Sequence, residues 1–449
     1  MSVDSTTVRG QEDSSAIRSA SPPSVFANRN FRLLFFGSSV SILGDQFTMV
    51  ALPWLVLSLT GDPAVLGSVL GVMALPRAIF ILIGGAVADR MSPRRVVLIA
   101  DAVNTVLIAA LAALVLGHVI NLQMVYVLAL GIGFAAAFGY PAGIAILPRV
   151  MEAEQLPAAN SIMMAVGQLC MLLGPAIAGF VITGSAAAHQ SAAGGDFRGI
   201  GAAFSVDAAS FLVALGALFF VQLRGGSQAA AGHSGGLLTD VNVGLKAVWA
   251  DGQLRAFLLY GAVASVFIGG ALQIGLPMLA SSRLDHGAAS LGLLMTVSAV
   301  GVLVGSLISP RAVRAARGRV GIMILSLDCL AGAAVAGLAL VHSTAWGAVL
   351  LLLTGLLQSV VQVAIITWLQ TRVSPELMGR TMSIVMFTFM GLAPLSAAAA
   401  GAVLGVVSIE QFFMGAGLCV SCIALLSLTR PSLRAIEMPQ PTFSQVSSI

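Results

Sequence analysis

Long apolar stretches recur along almost the whole chain and are separated by short polar turns. A helix that spans a bilayer needs about 20 apolar residues, and the runs here have about that length. Closed β-barrels, the other architecture that spans membranes, show alternating segments of about ten residues, which these continuous runs do not resemble. We therefore predict an all-α membrane protein of about twelve transmembrane helices, at 31–60, 64–88, 96–117, 122–148, 157–184, 199–223, 254–281, 288–311, 319–341, 344–371, 379–404 and 407–429.

The composition excludes an ordinary soluble domain. The 449 residues are 58% hydrophobic and 9% charged, whereas soluble domains carry about 25% charged residues. All four cysteines fall inside apolar spans, where we interpret them as small hydrophobic residues and not as a redox or metal pair. They are Cys170, Cys329, Cys419 and Cys422.

The basic residues predict the orientation of the chain. If the N-terminus is cytoplasmic, nearly all of the 22 lysines and arginines lie on the cytoplasmic side, with Arg198 and Arg283 outside and Arg77 within the membrane. The positive-inside rule then predicts cytoplasmic termini and an even number of spans. We expect a multi-pass protein of a bacterial inner membrane. A nucleic-acid partner is not expected, because these arginines lie in short loops held at a membrane.

The chain repeats itself at an offset of about 223 residues. Leu52-Pro53 matches Leu276-Pro277, for example, and further weak matches keep nearly the same offset. This pattern predicts two six-helix bundles with a substrate site between them, near the midplane of the membrane. The predicted divisions are a disordered cytoplasmic tail at 1–28, the first bundle at 29–223, a cytoplasmic linker with a surface helix at 224–252, the second bundle at 253–430 and a cytoplasmic tail at 431–449.

The loop after the second span carries a recognisable motif. It reads GGAVADRMSPRRVVLIAD at 84–101 and resembles the signature loop of the major facilitator superfamily. Ser92 and Pro93 depart from the usual pattern, as they do in the branch that contains the enterobactin exporter and macrolide efflux proteins. The stretches 44–61, 140–162 and 243–259 are also similar to that branch. The resemblance extends over about residues 29–430 and implies the major facilitator fold and transport.

The same resemblance implies a gating latch that stabilises the outward-facing state. An acid at the end of an apolar helix can pair with arginines or interact with a neighbouring helix N-terminus. The need for positive charge on the cytoplasmic side explains the arginines of this loop, but it does not explain the acid Asp89. The latch residues would be Asp89, Arg90, Arg94, Arg95 and Asp101.

The fifth span contains Gly174, Pro175 and Gly179. This sequence partly resembles the antiporter signature of exporting members of the superfamily, although Cys170 replaces a glycine of that signature. Ordinary packing of small residues between membrane helices is the alternative interpretation.

Charged residues inside a membrane are costly and mark candidate functional sites. Asp45 and Arg77 lie about 16 residues on either side of the first outer turn, so we expect them at similar depth. Asp45 is our candidate for a coupling or substrate-binding residue, and a structural ion pair with Arg77 is the alternative. For Asp207 and Asp328 we expect hydrogen bonds between helices.

Several polar side chains are candidates for a substrate cavity. The resemblance implies that helices one, four, seven and ten line it, and these helices carry Tyr140, Gln273, Gln358 and Gln362. Phe134, Phe138 and Trp368 would add aromatic surface. Since few charges accompany them, the expected cargo is a small amphipathic or hydrophobic compound such as a drug or siderophore.

No signature of a hydrolase or of a nucleotide-driven pump occurs in the sequence, and the histidines lack metal-ligand spacing. We expect no enzyme activity, cofactor or metal, and a monomer that interacts with substrate, protons and membrane lipids. The leading hypothesis is export by proton antiport. The alternatives are a lysophospholipid or lipid translocator of the same fold and a transporter-like receptor that does not transport. The fourth helix lacks a central arginine that many proton-driven relatives have, so the coupling ion stays open.

Overall fold

The computed structural model describes the chain from Val25 to Arg434, apart from gaps at 91, 153, 188–196, 224–245, 247–248, 317 and positions within 374–390. The side chains of 81–90 and 185–187 also lie outside the described part. The predicted tails and surface helix fall mostly on these undescribed residues.

Long helices make up almost all of the described chain. They are α1 (Arg29–Thr60), α2 (Pro63–Arg90), α3 (Pro93–Leu116), α4 (Leu122–Ile144), α5 (Leu156–Ala187), α6 (Phe197–Phe220), α7 (Gly252–Arg283), α8 (Gly287–Ala315), α9 (Val320–Gly337), α10 (Thr344–Arg372), α11 (Ala393–Leu404) and α12 (Ile409–Leu428).

Eleven of the helices in the described chain are long and apolar enough to cross a membrane. The twelfth, α11, has only its Ala393–Leu404 part fully described. Large apolar side chains such as Phe180, Leu212 and Leu307 are exposed, as expected for helices whose outer surface faces lipid. The all-α membrane fold predicted from the sequence is confirmed.

Local sequence explains where the helices begin and end. The Asn28 side chain accepts hydrogen bonds from the backbone of Asn30 and Phe31 and so caps α1. Gly61 ends α1 with a φ of 63°, a conformation that costs glycine little. Asp251 caps α7 in the same way as Asn28 caps α1. The starts of α1 and α7 therefore repeat at the offset seen in the sequence.

One element breaks the symmetry between the halves. Helix α7 contains a π-helical turn at Ala271–Gly275, directly before Pro277, whereas α1 is α-helical through Pro53. Proline removes a backbone donor and crowds the preceding turn, and a wider π turn relieves such crowding. π turns are frequent at functional sites, and this one carries Gln273.

The helices of the two halves meet closely at one end of the molecule. We call the end that carries the Gly61 turn the outer end, after the predicted orientation, and the opposite end the inner end. A Cβ on Gly67 of α2 would lie 2.6 Å from the carbonyl oxygen of Ala397 in α11. A Cβ on Gly179 of α5 would lie 2.5 Å from that of Ala288 in α8. Only glycine permits approaches this close between helices.

Candidate functional site

Asp45 lies in the middle of α1 on a face that neighbouring helices leave open. The residues beside it are packed: Gly44 lies against Asp207 and Ser210 of α6, and Gln46 lies against Gly174 of α5. The Asp45 side chain is nevertheless exposed. An exposed carboxylate at this depth requires water or a ligand nearby, because an uncompensated charge in hydrocarbon is unfavourable.

Three ionisable residues of the first half interact electrostatically with Asp45. Asp207, Asp101 and Arg77 are close enough for their charges to interact with its carboxylate. Because three of the four groups are acidic and one is basic, the protonation of any one acid depends on the others. This cluster joins α1, α2, α3 and α6, and we call it the acidic cluster.

Arg77 does not form an ion pair with Asp45 among the described residues, where the ion pairs are Arg283–Glu410 and Arg372–Asp251. Its guanidinium lies instead over the ring of Tyr140 in α4, 5.0 Å from the ring centre. Such cation–π contacts contribute about 0.5–2 kcal/mol. Two residues that the sequence proposed separately are thus brought together, and the positive charge of Arg77 stays available to a ligand.

Aromatic rings extend this contact along α2 and α4. Phe134 and Phe138 have ring centres 5.2 Å apart, and Phe80 lies 5.3 Å from Phe134. Phe134 and Tyr140 are about half exposed. We call Arg77, Phe80, Phe134, Phe138 and Tyr140 the aromatic wall. Phe80 was not among the predicted residues, although its position three residues after Arg77 puts both on one side of α2.

Trp368 does not belong to any cavity surface, contrary to the prediction. It is 1% exposed and packs edge-to-face on Phe257 of α7, with 5.4 Å between ring centres. Helical spacing predicts which side of α10 carries Trp368, but it does not predict that Phe257 of another helix covers that side chain.

The predicted glutamines of the second half differ in environment. Gln273 and Gln362 are exposed, so their amides are available to a ligand. Gln358 is partly covered, and its Nε2 is buried without a hydrogen-bond partner in the described chain. An unpartnered buried amide costs about 1–3 kcal/mol, which water or a bound ligand would offset. These residues remain candidates for binding substrate.

The Gly-Pro motif of α5 forms the contact with α8. Gly174 packs on Gln46, Gly179 packs on Ala288, and Gly292 of α8 packs on the carbonyl of Pro175. Next to the proline, the backbone N–H of Ala176 donates to the Thr296 hydroxyl, 3.2 Å away in the other half. The motif thus contributes directly to the contact between the two halves at the outer end, and its role as an antiporter signature stays a prediction.

The predicted latch is only partly described. The side chains of Asp89 and Arg90 lie outside the described residues. Arg94 donates from Nε to the Leu218 carbonyl at the end of α6, at 3.1 Å, and from its terminal nitrogen to the Phe219 carbonyl. Arg95 is exposed, and Asp101 is half-buried two turns into α3. Arg94 therefore binds the end of α6, and the gating role stays a prediction.

Two further membrane acids connect helices, as expected. The fully buried Asp207 accepts a hydrogen bond from the Thr48 hydroxyl of α1. Asp328 of α9 accepts one from the Tyr260 hydroxyl of α7, at 2.7 Å. The prediction of interhelical hydrogen bonds for both acids is confirmed. Their partners were not predicted, because a hydroxyl inside an apolar run gives no distinct sequence signal.

Comparisons with known proteins agree with this architecture. The multidrug efflux pump Tap of Mycobacterium tuberculosis is 26% identical over 418 residues, which cover 90% of this chain and 94% of the pump. The enterobactin exporter EntS of Shigella boydii is 26% identical over 355 residues, covering 78% and 79% of the two chains. The names of these relatives point to transport and not to catalysis.

Solved structures share the fold at low sequence identity. The nucleoside transporter NupG aligns with a TM-score of 0.65 at 15% identity, over 89% of this chain and 98% of its own. A bacterial homologue of the human lysosomal transporter Spinster aligns with a TM-score of 0.65 at 14% identity, over 94% and 100%. The family model of the Major Facilitator Superfamily matches residues 34–398. With its apolar helices and the match over most of its length, this chain belongs to the major facilitator superfamily, a family of membrane transporters.

Proposed function

We propose that this protein is a secondary active transporter that exports a small amphipathic or hydrophobic compound by proton antiport, using alternating access. It would act in a bacterial inner membrane as a monomer with both termini cytoplasmic and without enzymatic activity. The bundles 29–223 and 253–430 would move against each other as two bodies. The observation that carries the proposal is the aromatic wall, which presents one cation beside exposed rings, close to an exposed acid within the membrane.

The aromatic wall favours a ligand with both apolar and polar parts. Phe134, Phe138 and Tyr140 offer stacking surface, while Arg77 and the glutamines offer a few polar contacts. A sugar phosphate would require more cationic groups than this single arginine. Export of bulky amphipathic compounds agrees with the names of the efflux pump and the siderophore exporter among the relatives.

The arrangement of the halves supports an inward-facing state. Glycine contacts close the outer end between α2 and α11 and between α5 and α8. Among the described glycines, those that approach the other half, such as Gly67, Gly179 and Gly287, lie toward the outer end. A cavity between the bundles would then receive cargo from the cytoplasm or from the inner leaflet.

Asp45 is the proposed proton carrier. Its exposure lets it exchange a proton with water, and Asp101, Asp207 and Arg77 around it make its charge sensitive to the occupancy of the site. Cargo binding near Arg77 and protonation of Asp45 would then exclude each other, as antiport requires. Asp89 with Arg90, Arg94 and Arg95 would hold the outward-facing state.

Two other functions fit the same fold. A lipid translocator would use the apolar helix surfaces to pass acyl chains, and a receptor would bind its ligand without releasing it on the other side. Purified protein in liposomes that contain a fluorescent amphipathic dye distinguishes them. An exporter changes the dye content when a pH gradient is applied, a lipid translocator moves labelled lysophospholipid between leaflets instead, and a receptor binds either probe without flux.

A further inference from the structure

A groove opens at the inner end of the molecule, away from the aromatic wall and the acidic cluster. It lies where the starts of α1 and α3 meet the end of α6 and has a volume of about 610 Å³. We call it the inner groove. It is lined by Asn28, Arg29, Asn30, Arg94, Phe219, Phe220, Val221 and Gln222.

Hydrogen bonds fix the walls of the inner groove. Arg94 is anchored on the carbonyls of Leu218 and Phe219. The Asn30 side chain accepts from the backbone N–H of Gln222 at 3.0 Å, which holds the segment after α6 against the start of α1. A site built in this way loses little entropy when a ligand binds.

The inner groove is positively charged. Arg29 and Arg94 line it, and none of its described lining residues is acidic. Arg29 is absent from the matching position of the second half, where Gly252 lies at the offset of 223 residues. The shared fold therefore does not require the pair. Topology explains basic residues on the inner side but not their convergence on one groove.

Exposed aromatic rings adjoin this charge. Phe219 is 64% exposed and Phe220 is 60% exposed, with ring centres 5.6 Å apart. They end a membrane helix, so they lie where acyl chains begin. A ligand that suits the inner groove carries an anionic group, reaches it from the membrane and continues into an apolar tail.

We propose that the inner groove binds an anionic phospholipid of the adjacent leaflet, with its phosphate between Arg29 and Arg94 and its acyl chains along Phe219 and Phe220. Basic pockets between transmembrane helices on the cytoplasmic side recognise anionic headgroups in this way. The bound lipid would tie the start of α1 to the end of α6. The proposal does not depend on which cargo the protein carries.

Native mass spectrometry of the full-length protein in mild detergent, titrated with phosphatidylglycerol or phosphatidylcholine, tests the site. We expect preferential binding of phosphatidylglycerol and about fivefold weaker binding for Arg29→Gln, given the contribution of one basic residue near an anionic headgroup. Arg29 is exposed, so this variant should fold. Arg94→Lys keeps the positive charge but cannot make both backbone contacts. It should therefore weaken lipid binding less than Arg29→Gln does.

Arg314→Gln is the matched control, because Arg314 is exposed and bonds only to Pro310 of its own helix among its described hydrogen bonds. It should bind lipid like the wild type. The proposal is overturned if Arg29→Gln and Arg314→Gln have equal effects, or if both lipids bind alike. It is also overturned if millimolar inorganic phosphate displaces phosphatidylglycerol completely, because the ligand would then be free phosphate and not a lipid.

Discussion

Asp45 combines two properties that rarely occur together in a membrane helix, an ionisable carboxyl group deep within the fold and a side chain that the neighbouring helices leave exposed. Its neighbours Gly44 and Gln46 are locked in helix contacts, so the carboxylate is held on a rigid backbone. A residue with these properties can take up and release a proton without unfolding its surroundings.

We expect Asp45→Asn to abolish cargo accumulation driven by a pH gradient while leaving exchange of cargo down its own gradient. The amide cannot change charge, so the coupling is lost but the site remains. Flux in proteoliposomes at matched protein amounts measures both activities. Asp285→Asn, which removes an exposed acid in the α7–α8 turn, should behave like the wild type.

The same variant separates coupling from a structural role. Arg77 keeps its contact with Tyr140 when Asp45 is neutral, so thermal stability should change little. A strong loss of stability that Arg77→Gln restores would indicate a structural pair instead. Normal pH-driven accumulation by a stable Asp45→Asn protein would remove Asp45 as the proton carrier.

Sequence reasoning found the ionisable residues but not their partners. The positions of Asp45 and Arg77 relative to the first turn placed them near one another, and their charges do interact. The contact of Arg77 with Tyr140 depends on how α2 packs against α4, which no local pattern encodes. The prediction that Trp368 lines the cavity was wrong for the same reason, because Phe257 of another helix covers this side chain.

At the scale of helices, α5 packs closely against α8 at the outer end. Alanine at Gly179 would place its Cβ 2.5 Å from the Ala288 carbonyl, and overpacking of this kind costs about 1–3 kcal/mol. The proposed outward-open state would separate α5 from α8 here, so Gly179→Ala should shift the population toward that state. Gly184→Ala is the control, since Gly184 in the same helix has open space around it.

Spin labels at positions 62 and 285, in a variant without its four cysteines, report this shift. Both sites are exposed turns at the outer end, one in each half. We expect longer distances for Gly179→Ala and wild-type distances for Gly184→Ala. Identical distance distributions for both variants would show that the glycine contact does not set the state.

The inner ends of α7 and α10 are joined by an ion pair. Arg372 donates to both carboxylate oxygens of Asp251, at 2.7 and 3.1 Å, and these hydrogen bonds hold the pKa of Asp251 below its ordinary value. Asp251→Asn keeps the helix cap, as Asn28 does for α1, and should cost at most about 1 kcal/mol for a partly exposed pair. Asp251→Ala also loses the cap, which costs about 1 kcal/mol more.

The contribution of this pair should depend on pH. A lowered pKa in the folded protein means that the ionised carboxylate stabilises the fold above the ordinary value of about 3.9. That stabilisation is lost as the pH falls through the folded pKa, which lies lower still. Thermal unfolding of wild type and Asp251→Asn in detergent should therefore differ at pH 7, and the difference should shrink once the pH falls below about 3.9. A constant difference would exclude the ionised pair as its origin.

Hydropathy predicted the helices well, because the length of an apolar run directly reflects the thickness of the bilayer. It did not predict the π turn of α7, since hydropathy carries no information on backbone hydrogen bonding. The matching pairs Leu52-Pro53 and Leu276-Pro277 give no sign of this difference, yet only α7 widens before its proline.

For the whole molecule, the distribution of basic residues predicts the orientation. A reporter fused after Arg434 should be active in the cytoplasm, and one inserted near His189 should report the periplasm. Alkaline phosphatase and green fluorescent protein fusions at both sites give opposite signals and control for expression. The reverse pattern at either site would contradict the model of twelve spans.

The repeat and the signature loop were sufficient to predict the superfamily, which the match over residues 34–398 confirms. They did not indicate where the two halves approach each other. The presence of Gly67 and Gly179 in the sequence does not reveal which helices they contact, and only the three-dimensional structure places them against Ala397 and Ala288. The division into two moving bundles and the proton site remain proposals.

The most direct test of proton antiport follows protons and cargo in the same experiment. Proteoliposomes containing a pH-sensitive dye and an amphipathic fluorescent cargo would be given a cargo gradient without an initial pH gradient. We expect the internal pH to change as cargo moves, with protons travelling in the opposite direction, and no pH change for Asp45→Asn. Cargo flux without proton movement in the wild type, or proton movement in the same direction as cargo, would contradict export by proton antiport.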